Sequence, residues 1–128
     1  MSKVVLDASA LLALIKNEQG AEIVEELLGN IVMSSVNVSE VASILLDSKM
    51  SVTEAREAIE PFIDSIVPFD LEQSINCASL GKISKHLGLS LGDKACITLG
   101  IKLGVPIYTA DKIWQEFKSK EVNIKLIR

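Results

Sequence analysis

Short runs of apolar, often β-branched residues alternate with helical patterns from one end of the chain to the other. This alternation constrains the fold more than any other feature, because strands separated by helices build a parallel sheet covered by helices. The first run, Lys-Val-Val-Leu, has no polar alternation, which is typical of a strand buried on both faces. The predicted strands are residues 3–6, 31–33, 66–69, 106–109 and 123–127.

The segments between the strands predict helices, and some of their ends carry clear signals. Ser51 and Glu54 have the spacing of a capping box. Gly88 and Gly92 are expected to separate two helices, and Pro68 marks the third strand as an edge. The predicted helices are residues 8–16, 20–28, 37–46, 51–65, 70–87, 93–103 and 112–118. A chain of 128 residues with no linker or repeat predicts one domain over residues 1–128.

The charge and the apolar content limit what the chain can bind. A net charge of −4 and a pI of ≈ 5.0 provide no overall positive field for nucleic acid, so such a ligand needs local basic residues or a bound cation. Hydrophobic residues make up 48% of the chain and its mean hydropathy is +0.36. These values indicate an unusually full core or apolar surface that a partner covers.

The N-terminal region predicts neither a signal peptide nor a membrane span. Asp7 interrupts the first apolar run, and the apolar stretch of residues 10–15 is too short to cross a bilayer. Cys77 and Cys96 lie far apart in predicted helices, which favours two small buried hydrophobic residues over a disulfide or a metal pair. The sequence therefore predicts a soluble cytoplasmic protein with no membrane partner.

Four acidic residues are expected at one edge of the predicted sheet. Asp7 follows the first strand and Asp111 follows the fourth. Glu40 lies early in the helix after the second strand, and Asp93 opens the helix that leads into the fourth. Parallel sheets bind ligands beyond the carboxyl ends of their strands, where the strand order reverses. If the first and fourth strands are neighbours, all four carboxylates can converge there.

Each acid also has a purely local explanation. Asp93 and Asp111 can cap helices, and Glu40 near a helix start is unremarkable, whereas Asp7 breaks an apolar run without an obvious capping motif. Clustered carboxylates repel one another, and a divalent cation offsets that repulsion. Ligands that are all oxygen atoms favour Mg²⁺ or Mn²⁺ over zinc. The single histidine, His86, is expected at the surface or at a helix end.

Four segments resemble the successive motifs of PIN-domain proteins, specifically VapC-type toxins of bacterial and archaeal toxin–antitoxin pairs: VVLDASALLALI, SSVNVSEV, GLSLGDKACITLG and PIYTADKIW. The resemblance extends over residues 4–128. It implies a three-layer α/β/α sandwich whose five-stranded parallel sheet has the order 3-2-1-4-5, with the reversal between strands one and four. It also implies a set of catalytic, metal-binding acids, namely Asp7, Glu40, Asp93 and Asp111. Thr109 matches a hydroxyl residue that supports the last acid, and Ser9 and Asn37 match polar positions beside the first two.

The resemblance implies a metal-dependent endoribonuclease that hydrolyses RNA phosphodiester bonds with Mg²⁺ or Mn²⁺. The ion would stabilise charge on the phosphate and lower the pKa of an attacking water, with the acids as its ligands and a role as base open to one of them. Lys94 and Lys112 could contact phosphates, although solvated lysines at helix starts explain them better. Trp114 could stack on a base, although core packing explains it better.

The same resemblance implies protein partners, namely a VapB-like antitoxin and a second copy of the chain in a homodimer. The C-terminal segment of the antitoxin would lie as an amphipathic helix in a groove. The expected walls of that groove are the helices of residues 8–16 and 20–28 and the helix that begins at Asn37. The antitoxin would also bring a basic side chain to the acids.

Three other classes of protein compete with this one. A phosphoacceptor receiver domain needs two acids after the first strand and a phosphorylatable Asp after the third, but the first strand ends in one acid and Asp70 is better explained as a cap. A haloacid-dehalogenase-like phosphatase needs an acid two residues after Asp7, where the chain has Ser9. The third alternative is a PIN-like binding module without catalysis that acts through a protein partner. The intact set of acids argues against it, and a metal-dependent nuclease assay distinguishes it from an enzyme.

Overall fold

The computed structural model describes residues 2–128, and all its strands belong to one parallel sheet. The strands are β1 (Val4–Leu6), β2 (Ile31–Ser34), β3 (Ser65–Val67), β4 (Ile107–Thr109) and β5 (Ile124–Leu126). Their order is β3-β2-β1-β4-β5. β1 lies in the centre, where Val5 pairs with Val32 on one side and with Ile107 on the other. The predicted parallel sheet and its order are confirmed, and the order reverses between β1 and β4.

Helices cover both faces of this sheet. They are α1 (Ala8–Ile15), α2 (Ala21–Glu25), α3 (Ser35–Asp47), α4 (Val52–Ile59), α5 (Leu71–Ile83) and α6 (Leu91–Leu103), with 3₁₀ turns at Glu60–Phe62, Lys85–Leu87 and Lys112–Glu116. Neighbouring side chains of β1 point to opposite faces. Leu6 packs in a core with α1 to α4, whereas Val5 packs in a core with α5 and α6. The predicted α/β/α sandwich is therefore confirmed.

Two helix ends differ from the prediction because a cap and a proline determine them. α3 begins at Ser35 rather than at residue 37, since the Ser34 hydroxyl accepts a hydrogen bond from the Val36 amide and caps the helix. α4 ends at Ile59 rather than near residue 65. Pro61 has no amide hydrogen for a helical bond, and the chain turns through a 3₁₀ segment before it enters β3.

The segment around Gly92 also differs from the prediction. α6 begins at Leu91, so Gly92 lies inside its first turn and does not separate two helices. The helix expected over residues 70–87 is α5, which ends at Ile83 and is followed by a 3₁₀ turn. Ser90 caps α6, and this cap moves the start of the helix two residues ahead of its expected position.

The last residues of the chain close on the loop before α2. Gly20 has a φ of +97°, a left-handed conformation that glycine adopts without strain. A Cβ at this position would lie 2.6 Å from the carbonyl oxygen of Ile127. Arg128 Nη1 donates to the carbonyl oxygen of Gln19 at 2.9 Å in the same region. This close approach of two backbone segments requires a glycine at position 20.

Several single residues lie where the sequence predicts. Cys77 and Cys96 are buried free thiols, and Trp114 is fully buried in the core, as predicted. His86 is exposed on a 3₁₀ turn, which is also as predicted. Within residues 2–128, no helix combines the length and the apolar character that crossing a membrane requires.

Candidate active site

The four predicted acids line one cleft at the carboxyl edge of the central strands. The cleft has a volume of ≈ 230 Å³ and lies where the strand order reverses. Asp7 follows β1 directly and Asp111 follows β4, while α3 and α6 carry Glu40 and Asp93. The rest of the lining consists of Ala8, Ser9, Leu12, Asn37 and Ile44. The structure thus brings together the acids that the sequence singled out, and their catalytic role stays a prediction.

Asp7 is the most buried of the four acids and is only 5% exposed. Its carboxylate accepts hydrogen bonds from the Ala10 amide at 2.9 Å, the Ser9 hydroxyl at 2.8 Å and the Thr109 hydroxyl at 2.6 Å. The bond from Ala10 makes Asp7 the N-cap of α1, so the interpretation that it lacks a capping role was wrong. Because only Asp7 separates β1 from α1, the residue that follows the strand is also the residue that caps the helix.

Burial raises the pKa of the Asp7 carboxyl from its ordinary value of 3.8 to about 6. Desolvation of the charged form is the main cause, and the negative charge of Asp93 adds to it. The hydrogen bonds from Thr109, Ala10 and Ser9 act in the opposite direction. Near neutral pH the cleft therefore contains a buried carboxylate whose charge is poorly solvated, and a bound cation would relieve that cost.

Two hydroxyl groups connect the first acid to the segment that carries the last. Thr109 Oγ1 donates to Asp7 and accepts a hydrogen bond from the Asp111 amide at 3.0 Å. Ser9 Oγ donates to Asp7 and accepts from the Ala110 amide at 2.9 Å. The resemblance assigned Thr109 to the last acid alone. In the structure Thr109 orients the first carboxylate and also fixes the backbone at the last.

Asn37 holds Glu40 against the first turn of α6. Its side-chain amide donates to Glu40 Oε1 at 2.9 Å and to the carbonyl oxygen of Gly92 at 3.0 Å. Both partners only accept hydrogen bonds, so they determine which way the amide faces. Asn37 Oδ1 is left buried without a hydrogen-bond partner. Buried polar atoms are normally paired, so this oxygen is an unpaired acceptor on a residue that lines the cleft.

Asp93 and Asp111 serve as caps while they line the cleft. Asp93 Oδ2 accepts from the Ser90 amide at 3.0 Å, and Ser90 Oγ accepts from the Asp93 amide at 3.1 Å, which is a capping box at the start of α6. Asp111 Oδ1 accepts from the Ile113 amide at 3.1 Å and caps the turn Lys112–Glu116. The local explanation and the shared cleft are therefore both correct for these two acids.

The donor chemistry of the cleft fits a hard divalent cation, although the side chains are not gathered around one point. Between residues 2 and 128, no three His, Cys, Asp or Glu side chains stand close enough together to hold a metal ion. The carboxylates and the free Asn37 Oδ1 offer only oxygen atoms, which is the ligand set that Mg²⁺ and Mn²⁺ prefer.

The basic and aromatic candidates are not part of the lining. Lys94 and Lys112 are absent from the residues that border the cleft. The Lys94 ammonium lies against α5, 3.3 Å from where a Cβ on Gly81 would stand.

Gly92 is the residue near the cleft that the sequence interpretation missed. Its signal was a glycine directly before an acid in a segment with helical periodicity.

An apolar groove lies apart from the acids, between α3 and α4, and reaches the edge strand β3. It has a volume of ≈ 310 Å³ and is lined by Val38, Ala42, Leu46, Val52, Ala55, Arg56, Ile59, Glu60 and Ile66. α1 and α2 do not line it, so only α3 among the expected walls belongs to this groove. One side of α3 therefore borders the apolar groove while another carries Asn37 and Glu40 into the cleft.

The fold and the cleft define an α/β/α protein with an acidic site at the switch point of a parallel sheet. The family model described as the PIN domain matches residues 4–120. The chain therefore belongs to the PIN domain family. No curated protein sequence matches the chain significantly.

Solved structures with this fold include chains of toxin–antitoxin complexes. A chain of the DNA-bound VapBC from Salmonella typhimurium superposes with a TM-score of 0.76 at 15% identity, covering 100% of each chain. VapBC-1 from nontypeable Haemophilus influenzae gives 0.70 at 20% identity over 97% of each chain. VapC20 from Mycobacterium tuberculosis, a toxin that cleaves the sarcin–ricin loop, gives 0.73 at 12% identity over 92% of this chain and 98% of that one. At these identities the likeness shows the fold.

Proposed function

We propose that this protein is a metal-dependent endoribonuclease and the toxin of a VapBC-like toxin–antitoxin pair, acting in the cytoplasm. The observation that carries the proposal is the single cleft lined by Asp7, Glu40, Asp93 and Asp111 at the switch point of the sheet. Membership of the PIN domain family supports the nuclease class. The resemblance of the fold to VapBC chains, and to a toxin that cleaves the sarcin–ricin loop, supports the toxin class.

The residues of the cleft divide into ligands and supports. A divalent ion, Mg²⁺ or Mn²⁺, would supply charge stabilisation at the scissile phosphate and lower the pKa of an attacking water. Asp7 and Asp111 would hold it from the ends of β1 and β4, and Glu40 and Asp93 from α3 and α6. Ser9 and Thr109 keep the Asp7 carboxylate in one orientation. Partial enclosure by the lining residues strengthens each of these charge interactions.

Cleavage of RNA by the purified protein tests this proposal. The expected result is cleavage with Mg²⁺ or Mn²⁺ and none in excess chelator. Asp7→Asn should abolish cleavage, because it removes a charged ligand at constant size. Asp70→Asn makes the same chemical change at the N-cap of α5, outside the cleft, and should leave cleavage intact. Full activity of Asp7→Asn, or of the wild type in chelator, would show that the cleft is not a metal-dependent nuclease site.

A second candidate function is a PIN-like binding module without catalysis. The observation that favours it is the absence, within residues 2–128, of three side chains placed to hold a metal ion. The two candidates differ in one measurable respect, since the module would cleave no RNA with either cation. The nuclease assay with both cations therefore separates them.

The proposed protein partner is a VapB-like antitoxin, with a homodimer of this chain as the second contact. The apolar groove between α3 and α4 offers a site for an amphipathic helix. Leu46 in that groove is 40% exposed and Ile66 is 47% exposed, which is costly surface for a free protein. Because α3 borders both the groove and the cleft, a segment in the groove could bring a basic side chain to the acids.

Light scattering of the purified chain, alone and after co-expression with the product of its upstream reading frame, tests both contacts. We expect a dimer for the chain alone and a larger complex after co-expression. Leu46→Glu should weaken the complex, whereas Leu71→Glu, at a 77% exposed site on α5 outside the groove, should not. A monomer that ignores its neighbour contradicts both contacts.

A further inference from the structure

Gly92 lies in the first turn of α6 with the Glu40 carboxylate packed directly over it. It is buried, and a Cβ built on it would overlap the carboxylate carbon and both carboxylate oxygens of Glu40. The residue that carries the obstruction is thus an acid of the cleft and not a core side chain. Any side chain at position 92 would force the Glu40 carboxylate to move.

Backbone conformation does not explain a glycine at this position. Gly92 is within a helix and is not among the residues with positive φ, so alanine could adopt the same backbone. Glycine inside a helix is unfavourable relative to alanine. The helix therefore accepts a less favourable residue at a position where the three atoms nearest to a Cβ would all belong to the Glu40 carboxylate.

The Asn37 side chain also holds the Glu40 carboxylate in place. The Asn37 amide donates to both Glu40 Oε1 and the Gly92 carbonyl oxygen, so it fixes the carboxylate against the first turn of α6, where Gly92 has no side chain. Asp93, the next residue of that turn, lines the cleft together with Glu40. The space above Gly92 and the Asn37 amide together determine where Glu40 stands relative to Asp93.

We propose that Gly92 is a positioning residue: its missing side chain seats the Glu40 carboxylate beside Asp93 in the metal site. The part of this inference that concerns the metal rests on the proposed function. The part that concerns the position of Glu40 rests on the geometry alone. Gly92→Ala should leave the fold intact, because the obstructing atoms are the end of a flexible side chain, and should displace Glu40 from the cleft. Outer-shell changes of this kind typically weaken metal binding roughly ten- to hundred-fold.

Gly81 offers a matched control. It is also inside a helix, and a Cβ there would meet only the flexible end of Lys94 at 3.3 Å. Gly81→Ala therefore makes the same helical substitution without touching the cleft. Gly100 is unsuitable as a control, because a Cβ there would overlap the core side chain of Ile107.

The experiment measures two properties of the purified full-length variants. The first is the Kd for Mn²⁺ by calorimetry without RNA. Gly92→Ala should bind roughly ten- to hundred-fold more weakly than wild type, and Gly81→Ala should match wild type. In a Glu40→Ala background, Gly92→Ala should add no further loss. An unchanged Kd for Gly92→Ala, or the same loss in both backgrounds, overturns the metal role of Gly92.

The second property does not depend on metal. The side-chain amide signals of Asn37 in a ¹⁵N–¹H correlation spectrum, recorded in chelator, report the bonds of that amide to Glu40 and to the Gly92 carbonyl oxygen. Gly92→Ala should shift them toward their positions in Glu40→Ala, whereas Gly81→Ala should not shift them, and both glycine variants should melt no lower than wild type. Unmoved Asn37 signals would show that Gly92 does not position the Glu40 carboxylate. If the wild type binds no Mn²⁺, the proposed function fails, and the Asn37 signals still decide whether Gly92 seats Glu40.

Discussion

Replacing Asp7 by Asn should stabilise the metal-free protein, and the size of the effect follows from burial. The pKa of Asp7 rises from 3.8 to about 6 in the folded state. The native protein therefore binds a proton more tightly than the unfolded chain, and stability falls as pH rises through this window. At roughly 1.4 kcal/mol for each pH unit of that window, the charged carboxylate costs about 3 kcal/mol above pH 6.

The hydrogen bonds of an amide explain why the gain should be smaller than that full cost. An Asn side chain in place of Asp7 keeps an oxygen for the Ala10 amide but is a weaker cap than a carboxylate. Thr109 Oγ1, which donates to the wild-type carboxylate, would have to accept from the new amide. We therefore expect Asp7→Asn to gain about 2 kcal/mol at pH 8 in chelator, or roughly 5–10 °C in Tm for a chain of this length.

Thermal unfolding followed by circular dichroism between pH 4 and pH 8, with chelator present throughout, measures this gain. Near pH 4 the wild-type carboxyl is largely protonated in the native state, so the two proteins should melt close together. The difference in stability between the two proteins should grow between pH 4 and pH 6 and level off above pH 6. Asp70→Asn supplies the same substitution at an exposed N-cap. A gap that is independent of pH, or a variant less stable than wild type at pH 8, refutes the reasoning from burial.

Three further measurements follow from the structure. Mn²⁺ at about one hundred times its Kd should raise the free energy of unfolding of the wild type by about 2.7 kcal/mol. In a thermal shift assay Asp111→Asn should be stabilised less by the same Mn²⁺ concentration, and equal stabilisation would mean that Asp111 is only a cap. Cys77 and Cys96 should not react with an aromatic disulfide reagent at pH 7.5 until guanidinium unfolds the protein, because burial raises the pKa of both thiols, and rapid reaction of the native protein contradicts this. Gly20→Ala should lower the free energy of unfolding by roughly 2 kcal/mol in urea, from left-handed strain plus overlap with Ile127; a loss below about 0.5 kcal/mol rules out the close approach.

Local patterns predict the architecture well because the signals for strands and helices lie within a few residues. The apolar run that ends at Leu6 predicts a buried strand, and Pro68 correctly marks β3 as an edge. The strand order did not follow from such patterns and came from the resemblance. Gly92 was interpreted as a break because glycine disfavours helices. The Ser90 cap places Gly92 inside α6, and the carboxylate that lies over it belongs to Glu40, which is distant in sequence.

The site was predicted in its acids but not in their supports. Asp7, Glu40, Asp93 and Asp111 could be chosen because parallel strands present their carboxyl ends at one edge. The bond from Thr109 to Asp7 joins residues 102 positions apart, and no spacing in the sequence indicates it. The capping role of Asp7 was missed even though its signal was present, namely an acid directly before an apolar helix.

The pairing of β1 with β4 has a consequence for when the acidic cleft is completed during synthesis of the chain. A chain synthesised only as far as α5 contains β1, β2 and β3 but neither Asp93, Asp111 nor the Thr109 hydroxyl that orients Asp7. Contacts between such distant segments form late, because a long loop must close first. The proposed nuclease would therefore lack a complete site until these segments have been synthesised. The proposed antitoxin would have that interval in which to bind it.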